Sequence, residues 1–431
     1  MLEKDTPRAL EEAIRSLEGQ FAALPEFSGA AAGPIGAVMG EVAARLGDNY
    51  PYFHPLYAGQ MLKPPHPVAR AAYALATWIN PNNHALDGGR ASSEMEREAV
   101  AQLAAMFGWR EHLGHLTGGG TMANLEALWV AGSLNPGKKI VASAQSHYTH
   151  QRISSVLQLP FAKVATEARG RMDPAALEEM LKEGDVGCVV ATLGTTATGS
   201  VDPLPEILAL RQRYGFRVHI DAAYGGYFTL ADNLGPETRS AFDRIREADS
   251  IVIDPHKHGL QPYGCGCVLF HDPGVGTLYK HDSPATYFSS RQQHLGEISL
   301  ECSRPGASAV ALWATLRVLP LAPGGAFAQG LASCRRAALA LHARLSADAR
   351  FVTPFPPQLD IAVWKPQKGS AQRIFDEAAR RNLHLALARL PGTFFGDPAP
   401  EILCLRSVLM KPEHEQWIDR IWEILDQAAN S

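Results

Sequence analysis

The chain has 431 residues, of which 46% are hydrophobic and 19% are charged, and its formal net charge is -4. This length is enough for two or three domains with a sizeable buried core. The balanced charge provides no surplus of basic residues for a phosphate backbone or an anionic membrane, so we expect neither nucleic acid nor a membrane as a partner. The cysteines lie mostly in apolar stretches, which is typical of reduced thiols in a large cytoplasmic protein.

Residues 1–65 are predicted to form a helical arm. Its first segment, MLEKDTPRALEEAIRSLEGQF, is charged and amphipathic, and it lacks the apolar core of a signal peptide. The arm ends in NYPYFHPLYAGQMLKPPHP, whose prolines and aromatic residues disfavour regular structure. No stretch of the sequence reaches the roughly 18 uninterrupted apolar residues of a membrane-spanning helix.

Residues 66–318 are predicted to form a large α/β domain. The predicted strands are KKIVASA, FAKVATE, VGCVVATLG, FRVHIDAA, DSIVIDPH and CGCVLFH. Near-continuous apolar strands separated by helices of roughly 10–15 residues indicate a mostly parallel sheet covered on both faces. Ser93 and Glu96 have the spacing of a capping box, and the pairs 173–174 and 202–203 each read Asp-Pro, an N-cap followed by a first-turn proline.

Residues 319–431 are predicted to form a smaller α+β domain after the break APGG. A helix is expected from about Arg335, and a closing helix is expected after Pro412. The runs LDIAVWKP and ILCLRSVLM are predicted strands between these helices.

Four stretches place polar residues just past predicted strand ends, where an open parallel sheet binds its ligands. In HLTGGGTMANLEALW, glycines and Thr121 begin a helix, which suits an anion such as phosphate. Asp221 ends the strand in HIDAAYGG, and His147 follows a strand in ASAQSHYTHQR. Asp254 and Lys257 follow the strand in DSIVIDPHKHG, where a desolvated lysine becomes a usable nucleophile. Alone, each is ordinary as a turn, cap or surface residue, but together they describe a pocket for pyridoxal 5'-phosphate.

The stretch around Lys257 also allows a metal site. His256, His258, Cys265 and Cys267 together are a ligand set that zinc accepts. However, the two cysteines stand one residue apart at the start of a predicted strand, which sends both side chains to one face and favours packing in the core. We therefore expect no metal.

The order of TGGGTMANLEAL, SHYTHQR, TLGTTATGSVDPL, HIDAAYGG, DPHKHG, SRPG and CLRSVL resembles the group II pyridoxal-phosphate-dependent decarboxylases, from about Pro67 to the C-terminus. This family includes glutamate, aromatic-amino-acid and archaeal tyrosine/aspartate decarboxylases. The resemblance implies the aspartate-aminotransferase-like fold (fold type I) with a mostly parallel sheet of the seven-stranded type. It also implies a homodimer with shared active sites that converts an L-amino acid to its amine and CO2.

The resemblance implies a role in cofactor binding for each matching residue. Lys257 would hold the cofactor as a Schiff base, Asp221 would pair with the pyridine nitrogen, and His147 would stack on the ring. Further cofactor contacts are implied for Gly120, Thr121, Asp254 and His256 at the phosphate, for Ala223 beneath the ring, for Thr196 near O3', and for Ser303 of the neighbouring subunit.

The resemblance also implies substrate contacts. Arg406 matches an arginine that grips a substrate carboxylate, although a salt bridge within the small domain is an alternative. Tyr287 is the tyrosine that could supply a proton to Cα, or it packs in the core. Tyr52, Phe53 and His54 would form pocket walls across the dimer or only pack at the interface. Their aromatic character slightly favours a tyrosine-like substrate over an acidic one.

Two other reactions use the same cofactor pocket. A carbon–carbon lyase of the sphingosine-phosphate lyase type is the main alternative, but these lyases have a lysine where this chain has Tyr263. An aminotransferase is a further alternative, which the decarboxylase-like DPHK motif disfavours. We do not expect a protein without enzymatic activity, because every catalytic position of the family pattern is filled.

Overall fold

The computed structural model describes residues 5–25, 33–280 and 294–430. The α-helices are α1 (Asp5–Gln20), α2 (Ile35–Leu46), α3 (Pro67–Thr77), α4 (Arg90–Met106), α5 (Gly120–Leu134), α6 (Thr149–Val156), α7 (Pro174–Leu181), α8 (Leu204–Tyr214), α9 (Pro236–Asp243), α10 (Gly306–Val318), α11 (Ala326–Ala347), α12 (Ala371–Arg380) and α13 (His414–Asn430). The strands are β1 (Leu113–Thr117), β2 (Lys139–Ser143), β3 (Phe161–Val164), β4 (Val186–Thr192), β5 (Arg217–Asp221), β6 (Ser250–Ile253), β7 (Gly266–Phe270), β8 (Phe351–Val352), β9 (Ile361–Pro366), β10 (Ala386–Leu390) and β11 (Ile402–Val408). Within the described ranges, no helix is both long and apolar enough to cross a bilayer.

Seven strands form the main sheet, in the order β1-β7-β6-β5-β4-β2-β3. β7 runs antiparallel to both of its neighbours, and the other adjacent pairs are parallel. Every residue of β4 is buried, as expected for a strand with helices on both faces of its sheet. The predicted α/β class and all six predicted strands are confirmed, whereas β1 was missed.

Four antiparallel strands form a second sheet, in the order β10-β11-β9-β8. Its core is a separate hydrophobic cluster that also contains Ala58. The Ala58 N–H donates to His384 O and its carbonyl accepts from Val408 N, each at 2.8 Å, so the backbone at residue 58 is attached to this sheet. The predicted strands in 319–431 and the closing helix are confirmed, but the helix expected from Arg335 begins at Ala326. The domain boundaries stay a prediction.

The predicted capping box in α4 is wrong. The helix begins at Arg90, and Ser93 and Glu96 are both buried within it. Glu96 Oε1 accepts hydrogen bonds from Leu116 N at 3.0 Å and from Arg304 Nη1 at 2.6 Å. The carboxylate therefore joins α4 to β1 and to the segment before α10, rather than satisfying the helix end.

Only one of the two Asp-Pro pairs caps a helix as predicted. Asp173 accepts from backbone N–H groups at the start of α7. Asp202 does not cap α8, because its two oxygens accept instead from Met172 N and Thr192 N, each at 2.7 Å. It is fully buried, and burial raises its pKa to about 6 despite these hydrogen bonds. Asp202 thus ties the end of β4 to the segment before α7.

We expect Asp202→Asn to change the pH dependence of the unfolding free energy. A carboxyl group whose pKa is higher in the folded state stabilises the fold below its unfolded pKa. That contribution is lost as pH rises from 3.8 to about 6. The wild-type chain should therefore lose more stability than the variant between roughly pH 4 and pH 7, because asparagine does not titrate. Urea unfolding at both pH values measures the difference.

Asp173→Asn is the matched control for this test, because asparagine is also a good N-cap. It should keep the wild-type pH dependence. An Asp202→Asn chain that loses as much stability as wild type over this interval would contradict the raised pKa of Asp202.

Candidate active site

A cavity of about 320 Å³ lies where β4, β5 and β6 end and α5 begins. These three strands are parallel neighbours, so their carboxyl ends meet at one edge of the sheet. The structure brings nine of the predicted site residues to its walls: Gly120, Thr121, His147, Thr196, Asp221, Ala223, Asp254, His256 and Lys257.

The turn between β1 and α5 forms one wall of the cavity. Among the described residues no side chain caps α5, so its first backbone N–H groups are available to a ligand. Gly119 has a φ of +144°, which residues with a side chain rarely adopt. A Cβ on Gly120 would lie 2.8 Å from Asp254 Oδ2. The turn therefore requires glycine and has the geometry of an anion site.

Lys257 and Asp254 form an ion pair in the turn after β6. Lys257 Nζ lies 3.0 Å from Asp254 Oδ2, and the Lys257 N–H donates to the Asp254 carbonyl. Asp254 Oδ1 is buried and has no hydrogen-bond partner among the described residues. The His256 ring packs against the Tyr263 ring at 4.7 Å, and burial lowers the pKa of His256. The lysine amine is thus held against a carboxylate at the cavity wall.

Asp221 is a buried carboxylate at the end of β5. Its Oδ1 accepts from Ala223 N at 3.1 Å, and its Oδ2 lies 2.8 Å from His150 Nε2. Burial by itself would raise the pKa of Asp221. The His150 hydrogen bond, with the charge of Lys257 and the Ala223 N–H, outweighs burial and holds this pKa well below its usual range. Asp221 therefore stays ionised.

Sequence reasoning missed His150. It lies in the motif SHYTHQR, three residues after His147, on the first turn of α6. His147 lies before the helix begins, so helical spacing does not relate the two side chains, and a second histidine in the motif was the available signal. His150 does not line the cavity, but it contacts Asp221, which does.

His147 and Thr196 contribute polar groups to the walls. His147 Nδ1 lies 2.7 Å from Thr149 Oγ1, and burial lowers the pKa of the imidazole. A lowered pKa favours the neutral ring at physiological pH. Thr196 is exposed on the loop after β4, and the Thr192 hydroxyl below it is buried without a described partner.

Arg406 does not line this cavity. It lies on β11, where Nη1 donates to Gly59 O at 3.2 Å and approaches Gln60 Oε1 at 3.4 Å. Its Nε and Nη2 are buried and have no hydrogen-bond partner in the described ranges. Burial lowers the pKa of the guanidinium. The alternative salt bridge within the small domain is not found among the described residues.

The predicted arm residues pack away from the cavity. The Tyr52 ring makes an edge contact with the Tyr57 ring at 5.0 Å. The His54 ring packs against Trp417 at 4.9 Å, and Phe53 is 44% exposed. Within one chain, therefore, these side chains do not reach the cavity walls.

Ser303 does not line the cavity. Ser303 Oγ accepts a hydrogen bond from Asn82 Nδ2 at 3.2 Å. Tyr287 lies outside the residues that the structure describes. The role of each stays a prediction.

The candidate metal ligands have other partners. His258 Nε2 lies 3.2 Å from Asp360 Oδ2, and both side chains are fully buried. Cys265 and Cys267 lie in the main core, where burial raises the pKa of both thiols. No group of three or more His, Cys, Asp or Glu side chains suited to a metal occurs in the described part of the chain.

The cavity residues fit the chemistry of pyridoxal 5'-phosphate. Lys257 would offer an amine to its aldehyde, and the N-terminus of α5 would offer N–H groups to its phosphate. The ionised Asp221 suits a protonated pyridine nitrogen. The orphaned Asp254 Oδ1 and Thr192 Oγ1 are the kind of buried polar atoms that a polar ligand satisfies.

The family described as the pyridoxal-dependent decarboxylase conserved domain matches residues 50–365. The chain belongs to this family. A probable L-tyrosine/L-aspartate decarboxylase of Methanopyrus kandleri is 26% identical over 374 residues, which cover 85% of the chain and 94% of that relative. A probable L-aspartate decarboxylase of Halobacterium salinarum is 31% identical over 261 residues, covering 60% of the chain and 70% of the relative.

Solved structures show the same fold. The crystal structure of Oryza sativa TDC with PLP and tryptamine has a TM-score of 0.80 at 19% identity, with 100% of this chain and 98% of that chain covered. The predicted fold type, family and cofactor are confirmed. The chain is a pyridoxal-phosphate-dependent amino acid decarboxylase.

We expect Gly120→Ala to weaken cofactor binding by this decarboxylase. The added methyl group would lie 2.8 to 3.1 Å from Asp254 carboxyl atoms and would displace the carboxylate that holds Lys257. Overpacking of this kind should raise the dissociation constant for pyridoxal 5'-phosphate roughly tenfold. Quenching of tryptophan fluorescence during titration of the apoprotein measures it.

Gly118→Ala is the control in the same turn. Its Cβ would meet only Glu301 Oε1, at 3.4 Å, which is an ordinary contact. We expect a much smaller change. Equal losses in both variants would show that the close approach of Gly120 to Asp254 is not what matters.

Proposed function

We propose that this decarboxylase acts on an L-amino acid with an aromatic side chain, with an acidic amino acid as the second candidate, and that Lys257, Asp221 and His147 are its catalytic residues. The observation that carries the residue assignment is the cavity that collects all three at the carboxyl ends of the parallel strands. The match of the family over residues 50–365 supports decarboxylation over the carbon–carbon lyase.

Bound pyridoxal phosphate supplies an electron sink that accepts the electron pair left at Cα when carbon dioxide departs. Asp221 is ionised and favours a proton on the ring nitrogen, which makes the sink stronger. His147 offers a flat imidazole whose pKa is lowered by burial, so it would pack against the cofactor ring without adding a positive charge. Asp254 lies 3.0 Å from the Lys257 amine and is placed to exchange a proton with it.

Arg406 is the proposed partner of the substrate carboxylate. A buried guanidinium without a compensating charge is costly, and two of its nitrogens have no described partner. Carboxylates satisfy such a group with two parallel hydrogen bonds. The backbone carbonyl of Gly59 fixes the remaining Nη1, which orients the guanidinium. These contacts support a carboxylate site formed by β11 and the end of the arm.

The active form is proposed to be a homodimer in which the arm contributes to the partner's pocket. α2 buries none of its side chains within one chain, and its large apolar residues are exposed: Ile35, Val38, Met39, Val42 and Leu46. An apolar helix surface of this kind favours a protein partner. Tyr52, Phe53 and His54 are then placed to act from the neighbouring chain, and their aromatic character supports the aromatic substrate.

The assay that tests the function is incubation of the cofactor-loaded protein with a panel of L-amino acids. We expect release of CO2 and amine, fastest with tyrosine-like substrates and slower with aspartate and glutamate. Faster turnover of the acidic substrates would overturn the aromatic preference alone. Absence of CO2 from every amino acid, together with cleavage of a phosphorylated amino alcohol, would overturn decarboxylation.

Arg406→Gln tests the carboxylate site. Loss of hydrogen bonds to a charged group should raise KM roughly ten- to hundredfold. The dissociation constant for the cofactor should stay near wild type, because Arg406 lies outside the cofactor cavity. Steady-state kinetics and cofactor titration measure the two effects.

Arg335→Gln is the matched control, because Arg335 is also a buried arginine but its guanidinium donates to the carbonyls of Gln358 and Asn233. It should reduce thermal stability without raising KM. A normal KM in Arg406→Gln would remove this residue from the substrate site.

A further inference from the structure

His150 contacts the side chain that is proposed to pair with the cofactor ring. Its Nε2 lies 2.8 Å from Asp221 Oδ2, and the relative exposures of the two residues are 0% and 5%. The other Asp221 oxygen accepts from the Ala223 N–H. Each carboxylate oxygen therefore already has one protein donor, and the side chain still lines the cavity.

The hydrogen-bond geometry defines where the imidazole carries its proton. An ionised carboxylate only accepts hydrogen bonds, so Nε2 must be the donor in the contact with Asp221. Nδ1 of His150 is buried and has no partner among the described residues. Nε2 is therefore the nitrogen through which His150 acts on Asp221.

The surrounding groups do not replace this donor. His219 lies two residues before Asp221 on β5, and its nitrogens contact Ser250 Oγ and Asn124 Oδ1 instead. Burial lowers the pKa of His219 to about 3, so it adds no cation. Lys257 acts on Asp221 through its charge from the cavity side, but its ion-pair partner is Asp254.

We propose that His150 is a positioning residue that donates through Nε2 to Asp221, keeps this carboxylate ionised, and thereby leaves the proton on the ring nitrogen of the cofactor. The inference rests on the proposed function, because it assumes that Asp221 pairs with that nitrogen. A buried carboxylate without enough donors prefers its neutral form. Without His150, Asp221 would compete with the ring nitrogen for the proton between them.

The test compares His150→Leu, which removes the donor, with His150→Gln, which retains an N–H on a side chain of similar length. Each protein is loaded with pyridoxal 5'-phosphate labelled with ¹⁵N in the ring. The ¹⁵N chemical shift reports directly whether the ring nitrogen is protonated. We expect the protonated shift in wild type and His150→Gln, and a move toward the unprotonated shift in His150→Leu.

Loss of the hydrogen bond from His150 to Asp221 in His150→Leu should also change the kinetics. Removing a hydrogen bond to a charged group should lower kcat about tenfold or more, while KM stays near wild type because His150 does not contact the substrate. Thermal unfolding of the apoproteins reports on the fold separately. His150→Asn, whose amide is too short to reach Oδ2, replaces the leucine variant if that variant does not fold.

The outcomes separate this inference from the proposed function. An unchanged ¹⁵N shift in His150→Leu, with Asp221→Asn still altering the shift, would overturn the role of His150 alone. An unchanged shift and cofactor affinity in Asp221→Asn would overturn the pairing of Asp221 with the ring. A lower kcat with an unchanged ¹⁵N shift would assign His150 a purely structural effect and would also overturn the proposal.

Discussion

An ionised carboxylate inside a protein must be compensated by donors or cations. In the active site, Asp221 is such a carboxylate, and the arrangement of the site depends on its compensation. Its partners come from three elements: the turn after β5 through the Ala223 N–H, α6 through His150, and the turn after β6 through Lys257. These elements have to be adjacent for the charge to be tolerated. The parallel register of β2, β4, β5 and β6 brings their carboxyl ends to one edge of the sheet, and the cofactor cavity occupies the same edge.

Buried carboxylates also join the frame around the site. Glu96 links α4 to β1 and to Arg304, and Asp202 links the end of β4 to the segment before α7. In both cases the carboxylate oxygens accept hydrogen bonds from backbone N–H groups of a strand or of the segment beside it. The loops that line the cavity are thus held by polar contacts that are fully removed from water.

The strands, the glycine turn and the lysine could be predicted because their signals are local: apolar runs, a glycine run before a helix, and polar residues at strand ends. Glu96 and Asp202 were misassigned because a buried carboxylate and a helix cap have the same local spacing, and only tertiary packing distinguishes them. The partners of His150 and Arg406 lie 71 and 347 positions away, beyond any local pattern. The sequence could not define the contacts of the arm residues Tyr52, Phe53 and His54 for a different reason, because their proposed contacts are with a second chain.

The hydrogen bond between Arg406 and the Gly59 carbonyl spans 347 positions, and the backbone of Ala58 is attached to the same sheet. Such contacts give the chain a high contact order, and loop closure over this distance is slow. During synthesis, all residues that line the cofactor cavity have emerged by residue 257, and β7, which joins β1 to β6, follows at residues 266–270. The strand β11, to which the backbone of Ala58 is attached, is made much later. A nascent chain can therefore assemble its cofactor pocket well before its carboxylate site. In the interval the backbone around residue 58 has no strand to bind, and the apolar side chains of the arm stay exposed and prone to aggregation.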